Sequence, residues 1–462
     1  MTRIPLLTLG LMLGGYTAAA AGVMVYPVPP NVYPGDKFIA PSHQYKVEVL
    51  QNGRMQESFV YLMHAQHYTN KSETASFTGF DFTGRVTVRV TRLTEDIGFC
   101  QVLPRSRGIA VRLAGRTVEF ELDRPGQFSV EFERGLRIRH PLFIFANPPD
   151  VDVPRPDDPR VTWFGPGVHE IGEKFVIPSG QTVYLAGGAY VKGQFFSENA
   201  QKITIRGRGI LSGEQFPVRT AHYMITFRNV EQALVEGITL IHPPTHNIRL
   251  TGRDHVVRNV KLFGWHFSTD GASTGSDGMI EDSFMHVNDD SIMLYENNTS
   301  ARRCVIWQME NGAPFQFGWG GEEDRSGHHA SDIDVIRVES EWDNENEAVF
   351  CAIHGGGGTK SDYLFENIRI DNADWRMFSI ITKPNRWGQW NPEAGAIRRV
   401  VFRNIEFYGT PRIASLIMGH DEKHPVTDVT FDNVIVGGKK LAGADPDVIA
   451  VDPETTRNIV FK

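Results

Sequence analysis

The sequence predicts an all-β protein in which an N-terminal antiparallel β-sandwich domain precedes a right-handed parallel β-helix. Three observations lead to this prediction: strand-like alternation of apolar and polar residues before residue 147, a segment rich in Pro and Asp at 147–160, and a loose repeat of short apolar stretches beyond it. The 462 residues suffice for more than one hydrophobic core, and 45 glycines indicate many tight turns.

The sandwich is predicted to occupy residues 22–150. The stretch YKVEVLQNGR alternates apolar and polar residues up to an Asn-Gly turn, and RVTVRVTRL alternates throughout. The stretch RTVEFELDRPGQFSVEFERG indicates a hairpin with Pro125 in its turn. Residues 151–160 continue the Pro- and Asp-rich composition without periodicity, which predicts a linker.

The β-helix is predicted for residues 161–462. Stretches such as VEGITLIHP, VVRNVKLFG and LFENIRIDN recur every 21 to 37 residues, and none shows the 3.6-residue periodicity of a helix. Such spacing is typical of coils that each contribute a few short strands. The Asn side chains at one position of the repeat should stack as a structural ladder, and these residues are Asn259, Asn367, Asn404 and Asn433.

Composition and the N-terminus limit the partners and the location. A formal charge of -8 without a Lys/Arg-rich run argues against nucleic acid as a partner. Residues 1–21 have the layout of a signal peptide, with cleavage expected after Ala21, and no later segment is long and uncharged enough for a bilayer. We therefore expect a secreted or periplasmic monomer. Cys304 and Cys351 either form one bridge or remain buried thiols.

Three aspartates recur on successive coils. Asp270 in STDG precedes Asp289 and Asp290 in NDD by 19 and 20 residues, which is about one coil, and each motif comes just before a short strand. The three carboxylates should therefore cluster, and at least one pKa should rise because neighbouring acids cannot all ionise freely. A protonated acid beside ionised bases is what an acid/base hydrolase requires. Turn-capping aspartates or a calcium site are the alternatives.

Aromatic and amide side chains surround the aspartates. Sugar rings stack their C–H faces on aromatic rings, while their hydroxyls need amide and carboxylate partners, so this mixture is typical of a saccharide cleft. Inward-facing aromatics of a β-helix would give the same pattern. Trp319, Trp387 and Trp390 stand among glycines or polar residues, which favours the surface. The candidate substrate contacts near the aspartates are Trp265, His266, Tyr295, Gln316 and Trp319.

These motifs carry a resemblance to a known family. TDG followed one coil later by NDD resembles the polygalacturonase superfamily, glycoside hydrolase clan N. PLFIFANPP, WFGPGVHEIG, GQTVYLAGGAYVKGQF and NDDSIMLYENNTSARRCVIWQMENGAPFQFGW are more similar to glycoside hydrolase family 49, the dextranase and isopullulanase family. The resemblance covers nearly the whole chain after residue 21.

The resemblance implies an inverting endo-hydrolase of α-glucan that cleaves α-1,6-glucosidic bonds and needs no cofactor and no metal. On this reading Asp289 is the general acid, while Asp270 and Asp290 activate the attacking water. Inversion then leads us to expect acid and base carboxyls about 6.5–9.5 Å apart.

The chain also departs from the polygalacturonase pattern. Ala313 stands where a Gly-His-Gly motif would place its His, and FCAIHGGGG replaces the Arg-Ile-Lys that holds a uronate carboxylate. A neutral sugar is therefore favoured, with His354 and Lys383 as further candidate contacts. The alternatives are another α-linked polysaccharide, such as pullulan, another neutral glycan or a pectic chain, a lyase, or a non-catalytic carbohydrate-binding β-helix. The sandwich either contacts substrate or only covers the open end of the β-helix.

Overall fold

The computed structural model describes residues 22–342, 345–387 and 393–462. Within these ranges the secondary structure consists of β-strands and one short 3-10 helix, Arg105–Arg107. None of the described segments forms a helix of the length and apolarity that crossing a bilayer requires. The predicted signal peptide, residues 1–21, and Trp390 lie outside the described residues.

Two small sheets form the N-terminal sandwich. The first sheet contains, in spatial order, Ala40–Pro41, Tyr61–His64, Thr74–Asp81, Leu142–Asn147, Gly126–Glu131 and Gln101–Leu103, with Met24–Val25 beside Thr74–Asp81. The second sheet contains Arg54–Ser58, Tyr45–Gln51, Val86–Arg92, Thr117–Leu122 and Arg112–Ala114. The pairings are antiparallel, except that Leu142–Asn147 runs parallel to Thr74–Asp81.

The predicted hairpin around Pro125 is wrong. Thr117–Leu122 pairs with Val86–Arg92 in the second sheet, whereas Gly126–Glu131 pairs with Leu142–Asn147 in the first. The chain thus crosses from one sheet to the other near Pro125. Both strands point apolar side chains into the single core between the sheets, and alternation alone does not reveal which sheet a strand joins.

The rest of the chain forms one 30-stranded sheet that is wound into a parallel β-helix with three faces. The first face consists of Val161–Phe164, Thr182–Leu185, Thr204–Gly207, Leu234–Glu236, Val256–Arg258, Met279–Glu281, Ser300–Arg302, Arg325–Ser331 and Thr456–Phe461. The second face consists of Ile210–Ser212, Thr239–Ile241, Lys261–Phe263, Phe284–Val287, Val305–Gln308 and Asp334–Val338. The third face consists of Ile225–Glu231, Ile248–Arg253, Ala272–Ser273, Ile292–Met293, Phe315–Gln316, Phe350–His354, Phe378–Thr382, Ser415–Met418 and Ile449–Val451.

Longer strands run round a corner of the helix and contribute to two faces. They are Gly167–Val176, Ala189–Glu198, Thr359–Ile370, Ala396–Phe407 and Val426–Val436, and Lys439–Lys440 pairs antiparallel with the last of them. The predicted fold, a right-handed parallel β-helix preceded by a β-sandwich, is confirmed. Its interior is filled by inward-facing Val, Ile, Leu and Phe side chains from all three faces.

The Asn ladder forms over the last coils. The amide of Asn404 donates to Asn367 at 3.1 Å, and that of Asn433 donates to Asn404 at 2.9 Å. Asn259 shares their left-handed backbone, with φ of 51°, but its side-chain oxygen accepts hydrogen bonds from Gln127 and Lys261 instead. The sandwich supplies Gln127, so the domain contact replaces the ladder at this coil.

The sandwich packs along the second face of the β-helix and not over its open end. The ring centroid of Phe143, in the sandwich, lies 4.8 Å from that of Phe284 and 5.5 Å from that of Trp307. A fully buried ion pair joins Glu131 to Arg337 at 2.7 Å within the same interface. All three cysteines are buried free thiols, which decides between the two states predicted for Cys304 and Cys351.

Candidate active site

The three aspartates meet at the turn between the second and third faces. Asp270 comes two residues before Ala272–Ser273, while Asp289 and Asp290 come just before Ile292–Met293, and these two strands are paired neighbours. One carboxylate oxygen from each aspartate lies within 4.8 Å of the other two. The predicted clustering of Asp270, Asp289 and Asp290 is therefore what the coil geometry produces.

Asp289 is held by N–H donors from three directions. Its Oδ2 accepts hydrogen bonds from the Ser268 backbone N–H and the Asn311 amide, both at 2.8 Å. Its Oδ1 accepts from the backbone N–H of Asp290 at 3.0 Å. Ser268 belongs to the preceding coil and Asn311 to the following one, so three successive coils fix this carboxyl group.

Asp290 has a different set of partners, all on its C-terminal side. Its Oδ1 accepts from the Ala313 backbone N–H at 3.1 Å. Its Oδ2 accepts from the Trp319 indole N–H at 2.9 Å and lies 3.4 Å from the Tyr295 hydroxyl. The aromatic side chains predicted from the sequence at 295 and 319 therefore contact the acidic cluster directly.

Asp270 contacts a histidine that the sequence analysis did not single out. His246 Nδ1 lies 3.1 Å from Asp270 Oδ1. Its neighbour Asn247 donates from both backbone and side chain to the Asp270 carbonyl at 2.9 Å. The signal was present in PPTHN, which occupies the corresponding turn one coil earlier.

Burial and mutual repulsion raise the proton affinity of the cluster. Burial raises the pKa of Asp289 well above its usual value, and the charges of Asp270 and Asp290 raise it further against the opposing N–H donors of Ser268 and Asp290. Burial, with the Asp270 charge adding to it, raises the pKa of Asp290 to about 7. Burial and repulsion together therefore favour a shared proton within the cluster, which titrates as a unit.

One oxygen from each carboxylate lies within 4.8 Å of the other two. The separation of about 6.5–9.5 Å expected for an inverting pair refers to whole carboxyl groups, so this oxygen distance does not test it. Two oxygens at such a distance can both accept from one water molecule, since each O–H···O hydrogen bond spans about 2.7 Å. Three carboxylate oxygens are also a ligand set that a hard cation such as calcium accepts.

A cavity of about 380 Å³ opens above the aspartates, within the size range of small-ligand sites. Its walls combine carboxylates, amides, one arginine and indole rings, the mixture that a sugar needs. The lining residues are His246, Arg249, Ser268, Asp270, Ser273, Asp289, Asp290, Met293, Tyr295, Asn311, Trp319, Asn346 and Trp387.

The predicted substrate contacts divide into two groups. Tyr295 and Trp319 line the cavity. Trp265 is 1% exposed and packs its ring 5.1 Å from His286 in the domain interface. Gln316 is fully buried beneath the cluster, where its Oε1 accepts from the Gly318 N–H at 3.2 Å.

The other three predicted contacts also lie outside the lining of this cavity. His266 is half-buried, with its ring 5.8 Å from that of His67 in the sandwich. His354 is buried, and its Nε2 lies 2.7 Å from the Gly358 carbonyl. Lys383 forms an ion pair with Glu345.

Asn288 is a supporting residue that the sequence analysis did not identify. Its amide donates to the Trp265 carbonyl at 2.8 Å and to Glu310 Oε2 at 2.9 Å, while its Oδ1 accepts from the Asn311 N–H at 2.9 Å. These bonds fix the residue immediately before Asp289. The Asn in NDD was the available signal, and only the fold reveals its partners.

The fold and the site together define a class of protein, the parallel β-helices with an acidic cleft at a turn between two faces. No protein-family model matches the chain. A dextranase from Arthrobacter globiformis is 30% identical over 35% of this chain and 30% of its own length. An isopullulanase from Aspergillus niger is 25% identical over 84% of each chain. The solved structure of Dex49A from Penicillium minioluteum has a TM-score of 0.79 and 19% identity, over 96% of this chain and all of that one.

The chain is a dextranase- and isopullulanase-like protein, so the predicted resemblance to glycoside hydrolase family 49 is confirmed. The shared fold extends over nearly the whole chain. The match to the Arthrobacter dextranase, in contrast, spans less than a third of that relative.

Proposed function

We propose that the chain is a glycoside hydrolase that cleaves α-1,6-glucosidic bonds within an α-glucan such as dextran, with inversion. The observation that carries the proposal is the cluster of Asp270, Asp289 and Asp290, whose oxygens lie within 4.8 Å of one another. Burial and the neighbouring charges raise the pKa of Asp289 in this cluster. The similarity to proteins named dextranase and isopullulanase supports the substrate class.

In this mechanism Asp289 is the general acid. Its proton passes to the glycosidic oxygen as the bond from that oxygen to the anomeric carbon breaks. The carboxylate that remains is stabilised by the N–H groups of Ser268 and Asp290 and by the Asn311 amide. These donors favour the ionised form and therefore lower the cost of releasing the proton.

Asp270 and Asp290 are the base pair that holds the attacking water. Their oxygens are close enough for one water to donate to both. Water attacks the anomeric carbon from the face opposite the leaving oxygen, its proton passes to this pair, and the product is inverted. His246 orients Asp270, and the Trp319 indole orients Asp290.

The cavity suits a neutral sugar. Trp319 and Trp387 present rings with centroids 5.0 Å apart at its wall, surfaces on which C–H faces stack. Arg249 is the fixed cation among the lining residues, and its guanidinium lies 5.8 Å from the centroid of the Tyr223 ring. A polyuronide would bring one carboxylate per sugar, and a single arginine cannot neutralise a bound series of them.

Pullulan is the second candidate substrate. The isopullulanase aligns over 84% of both chains, whereas the dextranase aligns over about a third of each. The same three aspartates would act on either polymer, because the chemistry at the anomeric carbon is unchanged.

The test is release of reducing ends from dextran, pullulan and polygalacturonate by the wild type and by Asp289→Asn. We expect dextran cleavage, with a loss of about 10²- to 10⁴-fold in the variant because an amide supplies no acidic proton. The matched control is Asp277→Asn, an exposed aspartate in the turn after Ala272–Ser273, which should keep full activity. A fully active, folded Asp289→Asn protein would contradict the acid role.

The same assay separates hydrolysis from the alternatives. Activity that survives EDTA is expected, because the proposed steps need carboxyl groups and water only, and loss of activity on chelation would favour a cation site at the three aspartates. A product that absorbs in the ultraviolet would indicate a lyase. We further propose an exported monomer, to be checked by N-terminal sequencing of the mature protein and its elution volume on gel filtration.

A further inference from the structure

A segment of the N-terminal sandwich reaches the turn that carries the aspartates. Residues 65–73 connect Tyr61–His64 to Thr74–Asp81, which are paired neighbours in the first sheet. Asn70 donates from its side-chain amide to the Trp265 carbonyl and to Glu310 Oε2, both at 3.2 Å. Because the sandwich packs along the second face, this segment lies beside the corner where the second face ends.

Asn70 uses the same acceptors as the residue next to the proposed acid. Asn288 also donates to the Trp265 carbonyl, at 2.8 Å, and to Glu310 Oε2, at 2.9 Å. Two amides from two domains thus meet on one carbonyl and one carboxylate. The Trp265 carbonyl and the Glu310 carboxylate therefore connect the sandwich segment to Asn288, the residue directly before Asp289.

Aromatic rings continue from this contact to the surface. The ring of His67 has its centroid 4.3 Å from Phe267, and Phe267 packs edge-on against Trp342 at 4.9 Å. Phe267 directly precedes Ser268, whose N–H donates to Asp289. Tyr68 follows His67 with ring centroids 4.4 Å apart and is 89% exposed. We call these four residues, Tyr68, His67, Phe267 and Trp342, the aromatic strip.

The backbone around Tyr68 is fixed although its ring is exposed. The His67 N–H donates to Asn70 Oδ1 at 3.0 Å, and the Asn70 N–H donates to the His67 carbonyl at 3.2 Å. Lys71 donates to the Glu339 carbonyl and lies 3.2 Å from Glu341. A tyrosine on such an anchored segment loses little conformational entropy when it binds a ligand, because only two side-chain torsions remain free.

Tyr68, Phe267 and Trp342 carry no charge, and the surroundings of His67 favour its neutral form. Burial lowers the pKa of His67, with the nearby Arg219 charge adding to the effect. Burial also lowers the pKa of the adjacent His266 to about 4. An aromatic surface without charge suits the C–H faces of neutral sugars.

We propose that residues 65–73 form part of the glycan-binding cleft, with Tyr68 stacking on a sugar ring at the end of the aromatic strip remote from Asp289. The occupant is an α-glucan chain that continues beyond the cavity, so the inference rests on the proposed function and extends it to the sandwich. The strip approaches the cluster at Asp289, whereas Trp319 contacts it at Asp290. A chain bound across both surfaces would pass the cluster with sugars on either side, as endo-cleavage requires.

The first test compares Tyr68→Ala and Tyr68→Phe with the wild type on dextran and on isomalto-oligosaccharides of increasing length. For long chains we expect Tyr68→Ala to raise KM about 3- to 10-fold with kcat unchanged, because a stacking contact contributes equally to substrate and transition state. Tyr68→Phe keeps the ring and should retain the wild-type KM. Short oligosaccharides that fill only the cavity should show no difference.

The matched control is Tyr33→Ala, another tyrosine of the sandwich, which is 55% exposed and should leave every constant unchanged. The inference would be overturned if Tyr68→Ala left KM unchanged for oligosaccharides of every length, or raised it equally for short and long chains. Neither result would contradict the proposed dextranase activity.

A binding measurement separates the two proposals. Retardation in a dextran-containing native gel is measured with the Asp289→Asn protein, alone and combined with Tyr68→Ala, so that turnover plays no part. Weaker retardation of the double variant supports the cleft assignment even if the wild type fails to cleave dextran, a result that would count against the proposed function alone. Equal retardation, or none in either protein, overturns the cleft assignment.

Discussion

At the scale of single residues, Asp289 and Asp290 are neighbours in sequence with unequal surroundings. The chain turns between two faces at this point, so both carboxylates join one cluster even though side chains of an extended segment would alternate in direction. Asp289 is fixed by donors from the coils before and after it, whereas Asp290 is fixed by Ala313 and Trp319. Burial raises the pKa of both carboxyl groups, and the charge of Asp270 raises it further.

The repulsion within the cluster should cost stability, and Asp270→Asn tests this. Its charge raises the pKa of both neighbours, and an Asn Oδ1 can keep the contact with His246. At pH 7 we expect the free energy of unfolding to increase by about 1 kcal/mol, as is common where a functional site holds unfavourable charges. Thermal unfolding of the wild type and the variant, followed by circular dichroism, provides the measurement.

The pH dependence has a defined sign. A carboxyl group whose folded pKa is raised stabilises the fold below the unfolded value of about 3.9, and this contribution is lost as pH rises through the folded pKa, about 7 for Asp290. The Asp270→Asn protein loses less of this stabilisation as the pH rises. The amount by which its free energy of unfolding exceeds that of the wild type should therefore be larger at pH 7 than at pH 4. An advantage that is absent, or larger at pH 4, would argue against repulsion in the cluster.

At the scale of elements, the turn after the second face depends on Gly312. Its φ of +79° lies in the left-handed region, and an added Cβ would stand 2.5 Å from the Asp289 carbonyl carbon and 2.6 Å from the Asp290 nitrogen. These are backbone atoms of the coil below, so they cannot move aside as a flexible side chain would. The turn at Gly312 therefore sets how closely one coil stacks on the aspartate pair.

Gly312→Ala should displace Asp289 and Asp290. We expect it to lower the free energy of unfolding by about 2–4 kcal/mol, from left-handed strain together with overpacking, and to lower kcat as well. Gly53→Ala is the matched control, because its φ of +76° imposes the same strain while nothing lies within 4 Å of the added Cβ. A Gly312→Ala protein as stable and active as the Gly53→Ala protein would show that the close approach has no consequence.

Local patterns predicted the coils, but not the partners of each strand. Repeated apolar stretches with Asn at the turns predict a β-helix because each coil stacks on its sequence neighbours, and Asn367, Asn404 and Asn433 form the expected ladder. The strands on either side of Pro125 were predicted as a hairpin and belong to two sheets. The alternation of apolar and polar residues indicates which side chains of a strand are buried, but it does not indicate which other strand pairs with it.

The same limit applies to the predicted site residues. The sequence predicts the cluster of aspartates because one coil separates Asp270 from the Asp289–Asp290 pair. Tyr295 and Trp319, which were also predicted, line the cavity. Gln316 and His354 were predicted to contact substrate and are buried instead. Their strands have only two and five residues, and so short an alternation does not show which face a side chain occupies.

At the scale of the whole molecule, the position of the sandwich relative to the β-helix decides what surrounds the site. Asn70 and Trp265 are 195 residues apart in sequence and hydrogen-bonded in the fold. Such a contact follows from the packing of Phe143 on Phe284, and no local pattern encodes it. The sequence alone leaves open whether the sandwich contacts substrate. The placement of the sandwich along the second face is the basis for assigning Tyr68 to the cleft.

The most direct test of the central claim, that Asp289 donates the proton while Asp270 and Asp290 hold the water, is a comparison of leaving groups. Cleavage of dextran and of α-isomaltosyl fluoride is measured for Asp289→Asn, Asp270→Asn and Asp290→Asn. Fluoride departs with little need of an acid, so we predict that Asp289→Asn loses about 10²- to 10⁴-fold on dextran and stays within about tenfold of the wild type on the fluoride. The two base variants should be impaired on both substrates. The assignment would be contradicted if Asp289→Asn were equally impaired on both substrates. It would also be contradicted if Asp270→Asn or Asp290→Asn cleaved the fluoride substrate nearly as well as the wild type while failing on dextran.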